Sequence, residues 1–550
     1  MIFPSLQPRV QVPEVDVSTF ILASVRDSEY WQDTTRPAFI DAETDEAVTI
    51  GDFVRDIHTI AAGWVNHVQL PHGTVVALFS PNSIHYPVAL HSVLLAGGVV
   101  LAVNQNSGAY DLARQIRDSG ATYVVADYRW LTLARHGTGL PAEKVYVIQP
   151  HSGPDDIRSI YDLRQATPHQ PRRLTSREVR QTTALMCYTS GTTDRPKCIE
   201  ISHYNLVASI SQDVAFKQNN TRAHYGHVWL GILPLYSMYG LKHLTTASLS
   251  MGGTVVMLRE FDAEKVLMAI DQYQITYASF GPGLVQKLAH HPAANRFDGS
   301  SLKFTVTGST SVADIVLDQI AALFPAADTH IAYGMTELTL NTHMTPTDNP
   351  YPGSVGLLYP NLEAKIVDPN GHELSYGEPG ELCIRGPTVM QGYHNDLEAT
   401  AAIRDHEGFL RTGDVARVNR AGFYFVAGRQ KDMIWYQGCP VAPAALDAII
   451  LGHPKVLDVG VYGVHDSALN TEVPRAGVVF RPEYRPVTLD QAEALTREII
   501  QYVNDRVPDL QRLRGGMQCL ASIPKSDAGK IMRTLMRDQD GGDSRTGSLW

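Results

Sequence analysis

The sequence predicts an α/β protein with a large N-terminal domain of α/β subdomains plus a β subdomain, followed by a smaller α+β C-terminal domain. The first observation is length, because 550 residues exceed what one hydrophobic core usually organises. The second is an alternation of short apolar runs with segments of helical apolar spacing, as far as residue 324. The third is a change near residue 350 to short β-like runs between turn signals.

The elements predicted for the large domain alternate between buried strands and amphipathic helices. The first strand ends at the turn signal Ser80-Pro-Asn82, and the helix after it ends at Gly97-Gly98. The spacing predicts strands at 75–79, 99–103, 123–126, 254–258, 276–280 and 303–306, and helices at 84–96, 110–118, 263–273 and 315–324. This alternation is typical of α/β domains.

The rest of the chain predicts a β subdomain and then a compact α+β unit. The pattern predicts strands at 364–367, 380–384, 423–426, 460–462 and 476–480, and helices at 446–451 and 489–506. The short segment Gly428-Arg-Gln-Lys-Asp432 separates the two units, so we expect domains at residues 1–430 and 431–550. Residues 165–180 are predicted to form a surface loop, and residues 538–550 a frayed tail.

Composition limits the classes of function. Hydrophobic residues make up 44% and charged residues 19%, as in ordinary globular enzymes. The net charge of −11 argues against nucleic-acid binding through a general basic surface. The five cysteines are scattered without a CxxC, which argues against a disulfide framework or structural zinc and favours a reducing compartment. The histidines lack metal spacing, so no transition metal is expected.

The ends of the chain and its apolar runs bear on location. Residues 1–8 contain no apolar core of the signal-peptide type, and no run approaches the roughly 18 apolar residues that span a bilayer. The final Ser548-Leu-Trp550 is not a Ser-Lys-Leu peroxisomal address. We therefore expect a cytoplasmic protein without stable membrane insertion, whose oligomeric state the sequence leaves open.

The strongest single motif is Tyr188-Thr-Ser-Gly-Thr-Thr-Asp-Arg-Pro-Lys197, which lies between two apolar runs. Its hydroxyl and backbone N–H donors can wrap a polyphosphate, to which Lys197 adds a positive charge. The donors are Thr189, Ser190, Gly191, Thr192 and Thr193. The Walker pattern GxxxxGK[ST] is absent. Composition alone also fits a Ser/Thr-rich surface turn, so both interpretations stay open at this point.

With the motifs that accompany it, this segment resembles the phosphate-binding loop of the adenylate-forming superfamily. That superfamily includes acyl-CoA synthetases, nonribosomal-peptide adenylation domains and luciferases, and the chain is most similar to its 4-coumarate–CoA ligase-like branch. The resemblance covers nearly the whole chain, including Leu78-Phe-Ser-Pro-Asn-Ser83 and Leu94-Leu-Ala-Gly-Gly98. It implies ATP, Mg²⁺ and coenzyme A as cofactors and a mobile C-terminal domain. Asp194 and Cys198 depart from the family's glycines.

Tyr333-Gly-Met-Thr-Glu337 resembles the family's adenine and magnesium motif. The resemblance implies that Tyr333 packs on the adenine beside Gly334 and Met335, and that Thr336 meets the α-phosphate. It also implies that Glu337 binds Mg²⁺, for which a carboxylate is a natural hard ligand. Taken alone, the motif could equally be a helix N-terminus with a capping threonine.

Two further motifs resemble the ribose site and the catalytic lysine of the family. The resemblance implies that Asp414, in Arg411-Thr-Gly-Asp414, accepts hydrogen bonds from both ribose hydroxyls and that Arg429 lies beside them. It also implies that Lys530, in Ile523-Pro-Lys-Ser-Asp-Ala-Gly-Lys530, offsets the repulsion between the substrate carboxylate and the α-phosphate. The expected catalytic set is therefore Lys530, Thr336, Glu337 and Lys197.

The resemblance also indicates an acyl pocket. Its expected lining is Ser237, Met238, Tyr239, Phe280, Gly308, Ser309 and Ala332, of which Ser309 also borders the nucleotide. Ser237 stands where the family often has histidine, and Ser309 and Ala332 are larger than the usual residues, which indicates a shallower or more polar pocket. The branch suggests an aryl or arylpropenoic acid, although a medium-chain fatty acid also fits. Plain core packing would equally explain Met238 and Tyr239.

The hinge and the coenzyme A site depart most from the family. The resemblance places the hinge at Lys431 and coenzyme A contacts at Gln437 and Gly438. Trp435 and Gln437 replace lysines, and Pro440 replaces glutamine. Glu260 replaces a further lysine, and losing cations should weaken the binding of a phosphorylated acceptor. The run Arg512-Leu-Arg514 could supply part of the replacement.

Three hypotheses follow. The first is an acid–CoA ligase that forms an acyl-adenylate from a small carboxylic acid and transfers the acyl group to coenzyme A. The second keeps the adenylation but transfers the acyl group to an amine or to a carrier-protein thiol. The third is a non-catalytic binding protein that has the same fold.

Overall fold

A computed structural model describes residues 1–151, 157–189, 196–223, 225–437, 439–525 and 530–542. Its helices are, in chain order, α1 (Val17–Asp27), α2 (Ile50–Asn66), α3 (Tyr86–Leu95), α4 (Ala109–Ser119), α5 (Leu131–Gly137), α6 (Ser176–Gln181), α7 (His203–Asn220), α8 (Ser248–Ser250), α9 (Ala263–Gln272), α10 (Pro282–Ala289), α11 (Asp314–Leu323), α12 (Leu397–Ala402), α13 (Pro443–Leu451), α14 (Leu489–Asn504) and α15 (Arg533–Gly542). A π-helical segment, Gly240–Ala247, leads directly into α8.

The strands alternate with these helices in the first part of the chain and follow one another in the later part. In chain order they are β1 (Ile2–Pro4), β2 (Pro37–Asp41), β3 (Ala47–Thr49), β4 (Val75–Phe79), β5 (Val99–Ala102), β6 (Tyr123–Ala126), β7 (Val145–Val147), β8 (Arg158–Ser159), β9 (Thr183–Tyr188), β10 (Cys198–Ser202), β11 (Val228–Gly231), β12 (Thr254–Met257), β13 (Tyr277–Phe280), β14 (Phe304–Gly308), β15 (Asp328–Met335), β16 (Leu340–Met344), β17 (Gly356–Leu358), β18 (Glu363–Val367), β19 (Gly380–Arg385), β20 (Gly392–Tyr393), β21 (Leu410–Val418), β22 (Phe423–Arg429), β23 (Ile434–Tyr436), β24 (Cys439–Val441), β25 (Val456–Asp466), β26 (Thr471–Phe480) and β27 (Met517–Cys519).

Two large sheets form the N-terminal part. In the described residues, the first sheet has the order β20-β10-β9-β5-β4-β6-β7-β8, and its strands from β9 to β8 run parallel to one another. The second has the order β1-β18-β19-β21-β22-β17-β16-β15-β14-β13-β11-β12-β2-β3. Its strands are parallel from β15 to β2 and antiparallel from β15 to β1. The β subdomain is therefore hydrogen-bonded to the α/β part as one sheet.

The core between the sheets contains helices that are apolar on most of their surface. Every residue of α3 is buried, which agrees with its lack of a polar face. In α2, the side chain of Thr49 accepts the backbone N–H of Asp52 and begins the helix. Trp64 near the end of α2 packs edge-on against Tyr123 and Tyr146, with ring centroids 5.8 and 5.2 Å apart. These contacts attach α2 to the first sheet.

The C-terminal part has its own sheet and its own core. Strands β25, β26 and β27 form that sheet, and α13 and α14 contribute to the hydrophobic cluster beside it. The carboxylate of Asp447 in α13 pairs with Arg533 of α15 and accepts the N–H of Val461 in β25. Burial raises the pKa of Asp447 to about 6, although Arg533 and the Val461 N–H oppose the shift.

The predicted α/β class, with a large N-terminal and a smaller α+β C-terminal domain, is confirmed, and most predicted elements match within two residues. Four elements of the later part, β22, α13, β25 and β26, extend three to five residues beyond their predicted bounds. Three further segments differ. Residues 165–180 include the start of α6, and residues 538–542 belong to α15 rather than to a frayed tail. The Arg411-Thr-Gly-Asp414 motif lies inside β21, a strand that the apolar pattern does not predict. Gly413 enters that strand with φ +71°, which apolar periodicity does not reveal.

Gly63 in α2 supplies a test of this packing. A Cβ atom at position 63 would lie 1.9 Å from the carbonyl oxygen of Leu163, whereas a Cβ at Gly283 in α10 would have nothing within 4 Å. We expect Gly63→Ala to lower the melting temperature of the N-terminal domain, because the helix or the 160–163 segment must move. The control Gly283→Ala should leave that temperature unchanged or raise it, because alanine favours helix by up to about 1 kcal/mol. Equal melting temperatures for the two variants would contradict the close approach.

Candidate functional site

The candidate site lies where the parallel strands of the second sheet end. Phe280, Gly308 and Ala332 come at or near the carboxyl ends of β13, β14 and β15, which is where open α/β sheets bind ligands. A Cβ at Gly308 would lie 2.3 Å from the carbonyl oxygen of Ala332, so only glycine fits there. Ser309 follows with φ +67° and an exposed side chain. The chain thus leaves the sheet abruptly at this edge.

The Tyr333–Glu337 motif spans the end of β15 and a turn of helix at residues 336–338. A Cβ at Gly334 would lie 1.7 Å from the carbonyl oxygen of Leu340, so the hairpin to β16 needs glycine. Thr339 ends the turn in the left-handed conformation, with φ +55°. Met335 and Thr336 are half-buried, and Glu337 is buried. The sequence predicted a polar motif here, and the structure places it at the sheet edge.

Asp414 is the centre of a network that joins three strands. Its Oδ1 lies 3.0 Å from Nε of Arg429, and its Oδ2 accepts the hydroxyl of Tyr333 at 2.7 Å. Asp414 and Arg429 are also direct partners in the β21–β22 ladder. Burial raises the pKa of Asp414, while Arg429 and the Tyr333 hydroxyl oppose that shift. Burial also raises the pKa of Tyr333 well above its ordinary value, so Tyr333 is the hydrogen-bond donor.

Glu337 and Lys197 both contact Tyr393, a residue that no sequence motif marks. Tyr393 in β20 donates its hydroxyl to Oε1 of Glu337 at 3.1 Å, and Nζ of Lys197 lies 5.0 Å from the centre of the same ring. Burial, together with the nearby carboxylate of Glu337, raises the pKa of Tyr393 well above its ordinary value, so its hydroxyl remains a neutral donor. Tyr393 follows no motif, and only the pairing of β20 with β10 brings it here.

The strands that flank the Tyr188–Lys197 loop are described, but most of the loop is not. Thr189 donates its N–H to the carbonyl of Lys197 at 2.9 Å, and its hydroxyl accepts the N–H of Lys197 at 3.1 Å. These bonds close the base of the loop between β9 and β10. The predicted ligands Ser190, Gly191, Thr192 and Thr193, together with Asp194, lie outside the described residues.

Lys530 of the C-terminal part reaches this edge of the second sheet. Its side chain is half-buried, and the ammonium interacts electrostatically with Arg429, Asp414 and Glu337. Burial lowers the pKa of Lys530, and Arg429 lowers it further, while Asp414 and Glu337 act in the opposite direction. Lys530 is more than a hundred residues from Asp414 and from Glu337 in the sequence. The fold therefore places its cation beside these two carboxylates.

Besides Gly308, Ser309 and Ala332 at the sheet edge, the residues expected in the acyl pocket divide into two groups. Ser237 and Tyr239 make polar contacts: the Ser237 hydroxyl donates to the carbonyl of Pro234 at 2.6 Å, and the Tyr239 hydroxyl donates to Oγ of Ser279 at 2.7 Å. Met238 and Phe280 are buried in hydrophobic clusters instead. Phe280 stacks on Phe324 with ring centroids 5.6 Å apart, so its side chain faces the core.

The segment between the two parts of the chain carries Lys431 and the coenzyme A positions. Lys431 lies in a helical turn at residues 430–432 that follows β22 directly. The Trp435 side chain is 46% exposed, and Gln437 has φ +48° and donates its N–H to Thr471. Gly438 lies outside the described residues.

The cations that could replace the family's lysines are already paired with acids. Arg512 and Arg514 both contact Asp509, at 3.2 and 2.7 Å. Arg259, beside Glu260, lies 3.4 Å from Asp41. These pairs reduce the positive charge available to a phosphorylated acceptor.

The structure bears on metals and membranes in two ways. Among the described residues, no group of three or more His, Cys, Asp or Glu side chains is arranged to bind a metal ion. A single buried carboxylate, Glu337, still fits Mg²⁺, which is usually held by one or two carboxylates together with substrate phosphates and water. No helix in the described ranges is long and apolar enough to cross a membrane.

Comparison with known proteins shows which sequences and folds this chain is similar to. The sequence matches the family described as AMP-binding enzyme over residues 30–394 and its C-terminal domain over residues 445–530. Probable CoA ligase CCL5 of Humulus lupulus is 31% identical, covering 97% of this chain and 94% of its own. 4-Coumarate–CoA ligase-like 1 of Arabidopsis thaliana is 32% identical, covering 98% and 97%. The solved anthranilate CoA ligase AuaEII, in complex with anthranoyl-AMP, has the same fold, with a TM-score of 0.83, 20% identity and coverage of 96% and 98%.

The Asp414–Arg429 pair can be tested by a double-mutant cycle. We expect Arg429→Met to reduce the free energy of unfolding of the N-terminal domain by about 2 kcal/mol, because it leaves Asp414 buried without its cation, although Arg429 is itself partly exposed. In an Asp414→Asn background the same change should cost at least about 1 kcal/mol less. Urea denaturation followed by circular dichroism measures both values, and additive effects would show that the pair is not coupled.

Proposed function

Because this chain belongs to the family of AMP-binding, adenylate-forming enzymes, we propose that it uses ATP to activate a carboxylic acid and then transfers the acyl group to coenzyme A. The observation that carries the proposal is the approach of Lys530 to Asp414 and Glu337 at the sheet edge. A cation brought from another part of the chain suits a reaction between two anions. The family supports an AMP-forming ligase, and the names of the relatives favour coenzyme A as the acceptor.

We propose that the nucleoside of ATP binds around Tyr333, Asp414 and Arg429. Asp414 uses one oxygen for Arg429 and the other for Tyr333. A carboxylate has about four lone-pair positions, so it can still accept two ribose hydroxyls. Tyr333 is half-buried and offers a ring face to the adenine, with Gly334, Met335 and Ser309 beside it.

The phosphates are proposed to lie between the Tyr188–Lys197 loop and the helical turn at residues 336–338. Lys197 supplies positive charge, Thr336 a hydroxyl donor and Thr189 the closed base of the loop. Glu337 would hold Mg²⁺, which when bound neutralises part of the phosphate charge. Tyr393 fixes the Glu337 carboxylate by hydrogen bonding to one oxygen and leaves the other available.

In the proposed reaction, a carboxylate oxygen of the acid attacks the α-phosphorus of ATP. The new acyl–oxygen–phosphorus linkage forms as the bond to the bridging oxygen breaks, and pyrophosphate leaves with that electron pair. Lys530 contacts the approaching carboxylate and an α-phosphate oxygen, so it reduces their repulsion and stabilises the charge that develops. In the second step the thiolate sulfur of coenzyme A attacks the acyl carbon and AMP leaves.

The second step is proposed to need a different position of the C-terminal domain. Lys530 occupies the site that an incoming thiol would have to approach, so residues 431–550 would move relative to residues 1–430 about Lys431. Such domain motions take microseconds to milliseconds or longer. The short helical turn at residues 430–432 is the proposed hinge, because few residues there need to change their backbone angles.

A specific observation favours a second candidate, in which the acyl group passes to an amine or to a carrier-protein thiol. Trp435 and Gln437 lack the positive charge expected for coenzyme A, and Arg512 and Arg514 are paired with Asp509. Coenzyme A, with its several phosphates, would therefore bind weakly. A non-catalytic binding protein is disfavoured, because such a protein has no need to bring Lys530 beside Glu337.

Replacement of Lys530 tests the adenylation step. We expect Lys530→Ala to reduce pyrophosphate–ATP exchange with an accepted acid by about 100- to 1,000-fold, because it removes a charge that acts mainly in the transition state. The matched control is Lys455→Ala, which removes a lysine of the same domain that pairs with Glu498 away from the site. Equal exchange by the two variants would contradict the proposed role, and silence of the unmodified protein across a broad acid panel would revive the non-catalytic alternative.

Introducing positive charge at the proposed coenzyme A site tests whether coenzyme A is the acceptor. We expect Trp435→Lys and Gln437→Lys each to lower the KM for coenzyme A by up to about fivefold, which corresponds to a surface ion pair of about 1 kcal/mol. Leu489→Lys, at an exposed position of α14, is the charge-matched control.

Mass spectrometry of the products with coenzyme A or with amines identifies the acceptor directly. Efficient amide formation, together with a KM for coenzyme A that neither lysine changes, would favour the second candidate.

A further inference from the structure

A group of charged side chains is buried beside the expected acyl pocket, and the proposed reaction does not use it. Asp213 and Lys217 of α7, together with Lys242 and His243 of the π-helical segment, form this buried charged cluster. Their side chains are 0 to 1% exposed. Charges at such depth are costly unless each is paired and hydrogen-bonded.

One cation of the cluster is satisfied. Nζ of Lys217 lies 2.8 Å from Oδ2 of Asp213 and donates to the hydroxyl of Tyr277 at 3.0 Å. The other oxygen of Asp213 accepts the hydroxyl of Tyr359 at 2.7 Å. Burial disfavours the ionised form of Asp213, but Lys217 and Lys242 outweigh it and keep the pKa of Asp213 below its ordinary value. Asp213 and Lys217 therefore form an ion pair that carries no net charge.

The second cation is not satisfied. Nζ of Lys242 has no hydrogen-bond partner among the described residues, although an ammonium carries three donors. Both polar atoms of Gln212, which precedes Asp213 in α7, also lack a partner among these residues. Burial keeps the pKa of His243 well below its ordinary value, so this imidazole is neutral. Burial lowers the pKa of Lys242 to about 8, while Asp213 opposes the shift, so the ammonium form still prevails at neutral pH. Among the described residues the cluster thus has two ammonium groups and one carboxylate, which is one anion fewer than its cations.

The cluster adjoins the pocket through Tyr239. The ring of Tyr239 lies 4.9 Å from that of His243 between centroids, and its hydroxyl donates to Ser279 in β13. On the other side of His243, Trp229 stacks on Tyr277, the ring that hydrogen-bonds to Lys217. The strand that carries Ser279 ends at Phe280, at the sheet edge where the carboxyl group would react. The ring of Tyr239 therefore connects the cluster to the strand that ends at this edge.

We propose that the acid activated by this chain carries a second carboxylate at its far end, and that Lys242 binds this group at the bottom of the acyl pocket. This inference rests on the proposed function. A distal carboxylate supplies the missing anion and the missing hydrogen-bond acceptors at once. A neutral acyl tail supplies neither, because it leaves the ammonium buried and unpaired.

The test uses pyrophosphate–ATP exchange by the full-length protein with matched acids. Adipic acid is compared with hexanoic acid and with the hydroxy acid of the same length, and terephthalic acid is compared with benzoic acid. We expect the dicarboxylic member to be preferred by about tenfold or more in kcat/KM, because a site built for a polar group rejects analogues that lack it. Equal or better exchange with the monocarboxylic or hydroxy acids would overturn the inference and leave the proposed function intact. Silence with every acid would contradict the proposed function itself.

Substitution of the lysine gives an independent readout. Lys242→Met should lower the ratio of dicarboxylic to monocarboxylic exchange by about tenfold or more, since it removes the only cation of the cluster without a carboxylate partner. Lys303→Met, which removes an exposed lysine bonded to the carbonyl of Ser300, should not change that ratio.

Melting temperatures show whether the variants fold. Lys242→Met leaves the Asp213–Lys217 ion pair intact, so this variant should melt at a temperature no lower than the unmodified protein. Lys217→Met leaves Asp213 buried without its cation, so this variant should melt at a lower temperature. An unchanged ratio in folded Lys242→Met would overturn the proposed contact. A lower melting point for Lys242→Met than for Lys217→Met would do so too, because it would assign Lys242 a structural role.

Discussion

The burial of one carboxylate, Asp414, organises the candidate site of this protein. Its partners Arg429 and Tyr333 come from two other strands, so the network fixes the relative positions of β15, β21 and β22. A buried carboxylate without partners would shift its pKa and lose its charge, which is the direction that burial imposes on Asp414. The site can therefore keep an ionised acceptor for a ligand only while Arg429 and Tyr333 stay in place.

The same network explains why the later strands continue the second sheet instead of forming a separate lobe. Asp414 and Arg429 can face Tyr333 only if β21 and β22 reach the edge at which β15 ends. The pairing of β17 with both β16 and β22 provides that continuity. The β subdomain thus supplies one wall of the site, and its hydrogen bonding to the parallel part of the sheet sets the position of that wall.

Much of the fold could be predicted because local physics decides it. The run at 75–79 and the helix at 263–273 are visible as apolar runs and helical spacing, and both are found nearly as predicted. The motif around Asp414 was recognised by resemblance, but its place inside a strand was not, because Gly413 has a positive φ within β21. Tyr393 could not be found from the sequence, since no local pattern marks it and only sheet pairing brings it to Glu337.

The buried charged cluster illustrates a different limit of sequence reasoning. Lys242 and His243 follow the expected pocket residue Tyr239 within four positions, where a charged pair is ordinarily taken for an exposed helix face. The structure buries both of them, and the π-helical turn packs them against Asp213 of α7 instead. Burial changes the meaning of the same residues, because an ammonium that water would hydrate must find its acceptors in the protein or in a ligand.

The residues proposed to select the acid and those proposed to select the acceptor belong to different elements, which matters for how the function is assigned. The groups proposed to select the acid lie on α7 and the π-helical segment, and those proposed to select the acceptor lie on β23, Gln437 and the C-terminal arginines. The absence of lysine at positions 435 and 437, where this chain has Trp435 and Gln437, therefore bears on the proposed transfer to the acceptor. The proposal of acid activation depends instead on the contacts of Asp414, Glu337 and Lys530.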